Sequence, residues 1–240
     1  MILSMLGAIG TVLLPRLSYL VEKGRVESFE TLTKKSISII MLLSLPISMG
    51  LFLLSKPLIL LLSGEQYTPA IIPMKIITPI VFFISVGNVL GAQLLPVLKK
   101  ENIALASYSL GAMTNIVLNF TLIPRLGAIG AAIGTVFAEF TVSFMQLVYL
   151  KQYVLNKEIV TSFLQTITAT VIMGIFVLLG PLKFIQSTII QLSTSFVTGA
   201  IIYGIVLYLQ KNVCYSDLGF HDGYAIESKD LSYNQKLWIG

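Results

Sequence analysis

The sequence predicts an all-α integral membrane protein, and three observations lead to this prediction. Five stretches without a charged residue or a histidine are each long enough for a helix that crosses about 30 Å of hydrocarbon, which takes about 20 residues. The composition is 55% hydrophobic and 11% charged, with a mean hydropathy of +0.88, and is more apolar than that of a soluble domain. The basic residues fall mostly in every second loop, as is typical of an oriented membrane protein.

Taken in order, the apolar stretches define about seven transmembrane helices. The N-terminal stretch is uncharged as far as residue 15, and the stretch after Arg125 holds a single charge, Glu139. The predicted spans are about 1–20, 36–55, 73–98, 102–124, 126–150, 159–182 and 184–210. We therefore predict a transmembrane helical region over residues 1–210. Residues 211–240 are polar and weakly periodic, which predicts a cytoplasmic tail.

Pro46 lies near the middle of the second predicted span. Proline removes one helical hydrogen bond and clashes with the preceding turn, so a kink is predicted at this depth. Two interpretations stay open: the kink helps the helices to pack, or it frees backbone carbonyls at the depth of a transport cavity.

The loops predict the orientation of the chain. Twelve of the 16 Lys and Arg residues lie in the first, third and fifth loops and in the tail, and the side with more basic residues is cytoplasmic. The C-terminus is thus predicted inside the cell, and the first span begins outside. Because residues 1–15 have no features of a cleaved signal, this start is expected of the second half of a longer protein, with an N-terminal lobe before residue 1.

Other classes of protein are not expected from this composition. The net charge of +5 comes from the loops and not from one amphipathic face, so no nucleic acid partner is predicted. His221 and Cys214 are the one histidine and the one cysteine, and both lie in the predicted tail. They supply neither a metal-ligand set nor a catalytic constellation. We expect a protein that is not an enzyme and that holds no metal.

Three polar residues stand out inside the predicted spans. Glu139 lies midway along its span, where an ionised carboxylate costs roughly 3 kcal/mol. It contacts a coupling cation or the substrate, or else it is a protonated carboxyl bonded to a neighbouring helix. Asn115 and Asn119 are four residues apart and share a helix face. Their amide oxygens can coordinate a hard cation, or their amides can hydrogen-bond across a helix interface.

Arg16 follows Pro15 at the inner end of the first predicted span. An arginine at this position can bind a phosphate group, or it can extend to the lipid head groups. The sequence leaves both interpretations open.

The order of several motifs resembles the C-terminal half of a polysaccharide biosynthesis flippase of the O-antigen type. This family belongs to the multidrug/oligosaccharidyl-lipid/polysaccharide exporter superfamily, which also includes lipid II flippases and multidrug and toxin extrusion transporters. The motifs that carry the resemblance are TVLLPRLS at 11–18, LPI at 45–47, GEQY at 64–67, NIVLNFTLIP at 115–124 and GAIGAAIGT at 127–135.

The resemblance implies a fold and a function. Members have twelve to fourteen helices in two lobes around a central cavity, and this chain is similar to the second lobe. They carry a lipid-linked sugar, here expected to be an undecaprenyl-diphosphate-linked oligosaccharide, across the cytoplasmic membrane by alternating access. The implied location is therefore the inner membrane, and the implied partners are membrane lipid and this lipid-linked sugar.

The resemblance also implies roles for site residues. Family cavities are lined by basic residues, so Arg16 is the candidate for contact with the diphosphate. The lipid II branch binds sodium through an Asn and an Asp four residues apart and a Thr on the next helix, and Asn115, Asn119 and Thr135 are similar in position. Asn119 stands where that branch has Asp, and Glu139, one turn beyond Thr135, would replace the missing charge. Na⁺ or H⁺ coupling is expected, and no other cofactor.

Two alternatives are kept beside the flippase. The first is a drug or cation antiporter of the same superfamily, whose substrate is a soluble cation. The second is a truncated membrane remnant that transports nothing.

Overall fold

The computed structural model describes residues 2–185 and 187–210, and of residues 2–6 and 8–12 it describes the backbone only. Within these residues every regular element is a helix. In chain order they are α1 (Ile2–Glu22), α2 (Val26–Leu53), α3 (Ser55–Ser63), a 3₁₀-helix (Glu65–Ala70), α4 (Ile71–Ile77), α5 (Ile80–Gly87), a π-helix (Asn88–Leu94), α6 (Leu95–Val97), α7 (Glu101–Leu126), α8 (Ala128–Tyr149), α9 (Lys151–Val154), α10 (Lys157–Leu179), α11 (Pro181–Phe184) and α12 (Thr188–Leu209).

Six helical segments of the described residues are long and apolar enough to cross a bilayer, and this confirms the predicted class, an all-α integral membrane protein. They are Val26–Leu53, Ile80–Val97, Glu101–Leu126, Ala128–Tyr149, Lys157–Phe184 and Thr188–Leu209. The 21-residue α1 covers the first predicted span, and its crossing of the bilayer stays a prediction, as do the membrane boundaries of the other spans. The tail predicted at 211–240 lies outside the described residues.

The third predicted span is interrupted twice. The first break is at Thr78 and Pro79, between α4 and α5. Proline cannot donate to the carbonyl of Lys75, four residues before it, and the Thr78 hydroxyl donates to that carbonyl instead, at 2.9 Å. Ser48 of α2 donates to the Thr78 carbonyl, also at 2.9 Å. The second break is the π-helix Asn88–Leu94, where each backbone bond spans one residue more than in an α-helix.

The most buried apolar cluster lies where α1, α2, the π-helix, α6 and α9 meet. Leu17, Ile40, Leu90, Leu95 and Leu150 are almost completely enclosed there. The outer helix faces are apolar as well, and their large side chains are exposed, with Phe120 at 79% and Tyr208 at 74%. An apolar exterior on helices of this length fits a chain whose solvent is lipid.

The two ends of the helices can be related to the predicted orientation. Lys34 lies in the third turn of α2, and its Nζ is 3.7 Å from Glu158 Oε2 at the start of α10. The beginnings of α2 and α10 are therefore on the same side of the bundle. The first and fifth loops of the predicted topology precede these helices, so this contact agrees with their assignment to one side of the membrane.

Candidate functional site

The predicted coupling residues lie on α7 and α8, which form an antiparallel hairpin. Gly127 joins the two helices, with φ of +55°, in the left-handed region that favours glycine. Its N–H donates to the carbonyl of Ile123 at 2.8 Å, and this bond closes the end of α7. A turn of one residue between two long helices forces them to pack along each other immediately.

Glycine lets the two helices of the hairpin come unusually close. A Cβ added to Gly130 would lie 2.6 Å from the carbonyl oxygen of Leu122, and one added to Gly111 would overlap the Val142 side chain. At Gly134 an added Cβ would lie 2.5 Å from Asn119 Oδ1. Small residues therefore put the backbone of each helix against the other, the usual basis of tight packing in membranes.

The structure brings Asn115 and Asn119 together, as their spacing predicts. Asn119 Nδ2 donates to Asn115 Oδ1 at 2.8 Å. Asn119 Oδ1 is buried against Gly134 and has no hydrogen-bond partner in the described part of the chain. A buried carbonyl-type oxygen without a donor is costly, and it is the kind of atom that a hard cation takes as a ligand.

Thr135 follows Gly134, the residue that contacts Asn119. Its hydroxyl donates to the Ala131 carbonyl at 2.8 Å, and the side chain is half-buried. The hydroxyl proton is thus committed, while the lone pairs of the oxygen stay available to a cation. Asn119 thus contacts the residue next to Thr135 in sequence, and amide and hydroxyl oxygens are ligands that suit Na⁺ better than a soft metal.

Glu139 lies one turn beyond Thr135 on the same face of α8. It is half-buried, and none of the described residues makes a hydrogen bond or an ion pair with it. The alternative in which a neighbouring helix hydrogen-bonds a protonated Glu139 therefore has no such bond in this structure. A carboxyl group in a bilayer without a protein partner needs a proton or a cation.

Arg16 is not part of this group. It lies exposed on α1, which packs against α2 and against the segment from α5 to α6, whereas α7 packs chiefly along α8. Its neighbour Leu17 is fully buried in the apolar cluster, so the position of Arg16 is fixed although its side chain extends outward. The structure thus separates the candidate for diphosphate contact from the candidates for coupling.

Sequence reasoning missed a second polar group on the same hairpin. Gln146 of α8 is fully buried, and its Nε2 donates to Ser107 Oγ of α7 at 3.1 Å. A signal for it exists, since Ser107, Gly111, Asn115 and Asn119 recur every four residues and so form one stripe on α7. The stripe therefore predicts that Ser107 faces the same helix as Asn119, and in the structure both face α8.

Comparisons with known proteins agree with this architecture. The family described as "Lipid II flippase MurJ" matches residues 1–198 of the chain. An uncharacterized membrane protein of Methanocaldococcus jannaschii is 30% identical over 205 residues, which make up 83% of this chain and 38% of that protein. The chain spans about two fifths of the length of this relative. The family consists of transporters and not of enzymes, in agreement with the expectation from the sequence. The chain belongs to the lipid II flippase MurJ family.

Proposed function

We propose that this chain is the second lobe of a flippase that moves a polyprenyl-diphosphate-linked sugar across the cytoplasmic membrane by alternating access. The observation that carries the proposal is the family match over residues 1–198, together with six helices suited to a bilayer. The chain aligns with 38% of the length of the M. jannaschii protein, and this supports a longer working unit. The C-terminus of this unit is cytoplasmic in our proposal, because most basic loops lie on that side.

In our proposal the sugar is an O-antigen repeat or another cell-surface polysaccharide unit. The alternative substrate is lipid II, which the description of the family names. The two substrates share a diphosphate on an isoprenoid carrier, so Arg16 would serve either one. A guanidinium binds phosphate oxygens in pairs, and Arg16 is exposed on α1 without an ion-pair partner among the described residues.

Transport is coupled to Na⁺ or H⁺ in our proposal. Asn115, Asn119 and Thr135 supply the oxygen ligands, and Glu139 supplies the charge. The supporting observations are the unpartnered Asn119 Oδ1 and the unpaired carboxyl of Glu139 on one hairpin. A cation near these groups would be a partner for the Asn119 oxygen and would balance the charge of Glu139, so binding there would offset the cost of burying both groups.

The test is depletion of the protein, expressed from its native locus, followed by mass spectrometry of the extracted lipids. A flippase leaves its lipid-linked sugar in the inner leaflet when it is lost, so one polyprenyl-diphosphate sugar should accumulate. The mass of the accumulated sugar separates a polysaccharide unit from lipid II. If no lipid-linked sugar accumulates, the proposal is wrong.

The same strain decides between the two alternatives. Loss of resistance to a hydrophobic cation, without accumulation of any lipid-linked sugar, would indicate a drug or cation antiporter. If resistance is unchanged and no lipid-linked sugar accumulates, the chain is a membrane remnant that transports nothing.

A further inference from the structure

The π-helix Asn88–Leu94 interrupts a membrane span at the point where α8 contacts it. A π-helix holds one residue more than the α-helix that would replace it, and such segments are rare, short and concentrated at functional sites. Lys99 follows shortly after, with φ of +57°, a conformation uncommon for a residue with a side chain. The segment from Asn88 to Lys99 thus combines two departures from regular helical geometry.

Gln146 of α8 fills the space that Gly91 leaves in the π-helix. A Cβ added to Gly91 would overlap Gln146 Nε2 and would lie 2.7 Å from the Tyr108 hydroxyl. The same Nε2 donates to Ser107 of α7 at 3.1 Å. One fully buried amide therefore connects both helices of the hairpin with the π-helix.

A second contact ties α8 to the span just before the π-helix. Ser143 Oγ donates to the Phe83 carbonyl at 2.7 Å. A Cβ added to Gly87 would lie 3.0 Å from Ser143 Oγ. From Phe83 to Gly91, two turns of the third span therefore meet two polar side chains of α8, with glycine at both points of closest approach.

Two buried oxygens at this junction have no donor among the described residues: Gln146 Oε1 and Gln93 Oε1. Their residues are 0% and 6% exposed. A buried acceptor without a donor destabilises the arrangement that contains it. The junction thus places one buried amide against Gly91 and leaves two acceptor oxygens without a donor among the described residues.

We propose that Gln146 is a latch that holds Asn88–Leu94 in its π-helical register. When the amide leaves Gly91, the segment returns to an α-helical register, and α6 rotates by about 100°, the angle of one residue in a helix. Gln146 lies 11 residues, or about 16 Å, beyond Thr135 on nearly the same face of α8. The proposed latch therefore lies on the same helix as Thr135 and Glu139 and contacts the third span. Its role in transport rests on the proposed function, whereas the latch itself can be tested without transport.

The experiment measures amide hydrogen exchange by mass spectrometry on the full chain in lipid nanodiscs. Gln146→Met keeps the volume of the side chain and removes the amide, and Gly91→Ala places a methyl group where the amide lies. Both variants should raise the exchange rate of residues 88–97 at least about tenfold, a change of 1.4 kcal/mol in the opening equilibrium, with α12 unchanged. Gly204→Ala is the matched control, because a Cβ there has no heavy atom within 4 Å.

The double variant Gly91→Ala with Gln146→Ala separates a latch from simple overlap. Removing the amide makes room for the methyl group, so exchange should return to its original rate if overlap alone is the cause, and that return would overturn the proposal. Fast local exchange in the double variant supports the latch. If Gln146→Met accelerates exchange in α12 as well, the substitution destabilises the whole chain. Ser107→Ala then tests the latch more locally, because it removes only the hydroxyl that accepts from Gln146. Unchanged exchange at residues 88–97 in Ser107→Ala would also overturn the proposal.

Discussion

The hydroxyl of Tyr203 on α12 donates a hydrogen bond of 2.6 Å to the backbone carbonyl of Leu42 on α2. Leu42 stands four residues before Pro46, and in a regular helix its carbonyl would accept from the N–H of residue 46, which proline lacks. The last described helix thus supplies the donor that the proline removes. The turn before Pro46, where a kink is predicted, is therefore a point of contact between helices, and the freed carbonyl already accepts a hydrogen bond.

Tyr203→Phe should lower the free energy of unfolding by about 1–3 kcal/mol, because it leaves a carbonyl inside the bundle without a donor. Thermal unfolding of the chain in detergent measures the effect. Tyr208→Phe is the matched control, since it lies on the same helix with 74% of its surface exposed. The variant Pro46→Ala restores the helical donor, so Tyr203→Phe should cost much less in that background. An equal cost in both backgrounds would show that the hydroxyl does not act through Leu42.

The helices could be predicted from the sequence because a bilayer allows few solutions. Every backbone polar group must be paired within the membrane, so a long uncharged stretch is almost always a helix. Counting charges does not show where a helix begins, however. α2 begins at Val26, ten residues before its uncharged span, and carries Lys34 and Lys35 in its third turn. Charged residues outside the bilayer extend a helix as readily as apolar residues inside it.

The contacts between helices could be predicted only in part. The four-residue spacing of Asn115 and Asn119 indicates their shared face, and their hydrogen bond follows from it. The partner of Leu42 lies 161 residues away, and no local pattern points to it. The π-helix escapes prediction for a similar reason, since the side chain that contacts Gly91 belongs to Gln146, 55 residues further along the chain.

Gly134→Ala should destabilise the hairpin by about 1–3 kcal/mol, the usual cost of adding a methyl group to a packed interface. The added Cβ would lie 2.5 Å from Asn119 Oδ1. Thermal unfolding measures the loss, and Gly50→Ala, in open space on α2, should cost nothing or stabilise slightly. Asn119→Ala in the Gly134→Ala background should recover part of the stability. A loss that is the same with Asn and with Ala at 119 would contradict the contact.

Glu139→Gln should reduce ion-driven transport at least about tenfold at an unchanged protein level, because an amide can neither carry a proton nor balance a cation. The measurement is the initial rate of transport against an imposed Na⁺ or H⁺ gradient, in cells that express the protein from its native locus. Glu158→Gln serves as the control, since this carboxylate is exposed and pairs with Lys34 at the bundle surface. Transport that stays at the original rate in Glu139→Gln would exclude a role of this carboxylate in coupling.

Arg16→Ala should weaken the binding of a polyprenyl-diphosphate sugar by at least about tenfold, or about 1.4 kcal/mol. The affinity of Arg16→Lys should lie between those of the unchanged protein and Arg16→Ala, because an ammonium keeps the charge but loses the paired hydrogen bonds of a guanidinium. Binding is measured with the lipid-linked sugar in nanodiscs, and transport is measured in parallel. Arg125→Ala, which removes an exposed arginine at the far end of α7, is the control. If Arg16→Ala lowers the protein level and Arg16→Lys restores it with unchanged binding, Arg16 orients the helix in the membrane and does not contact the substrate.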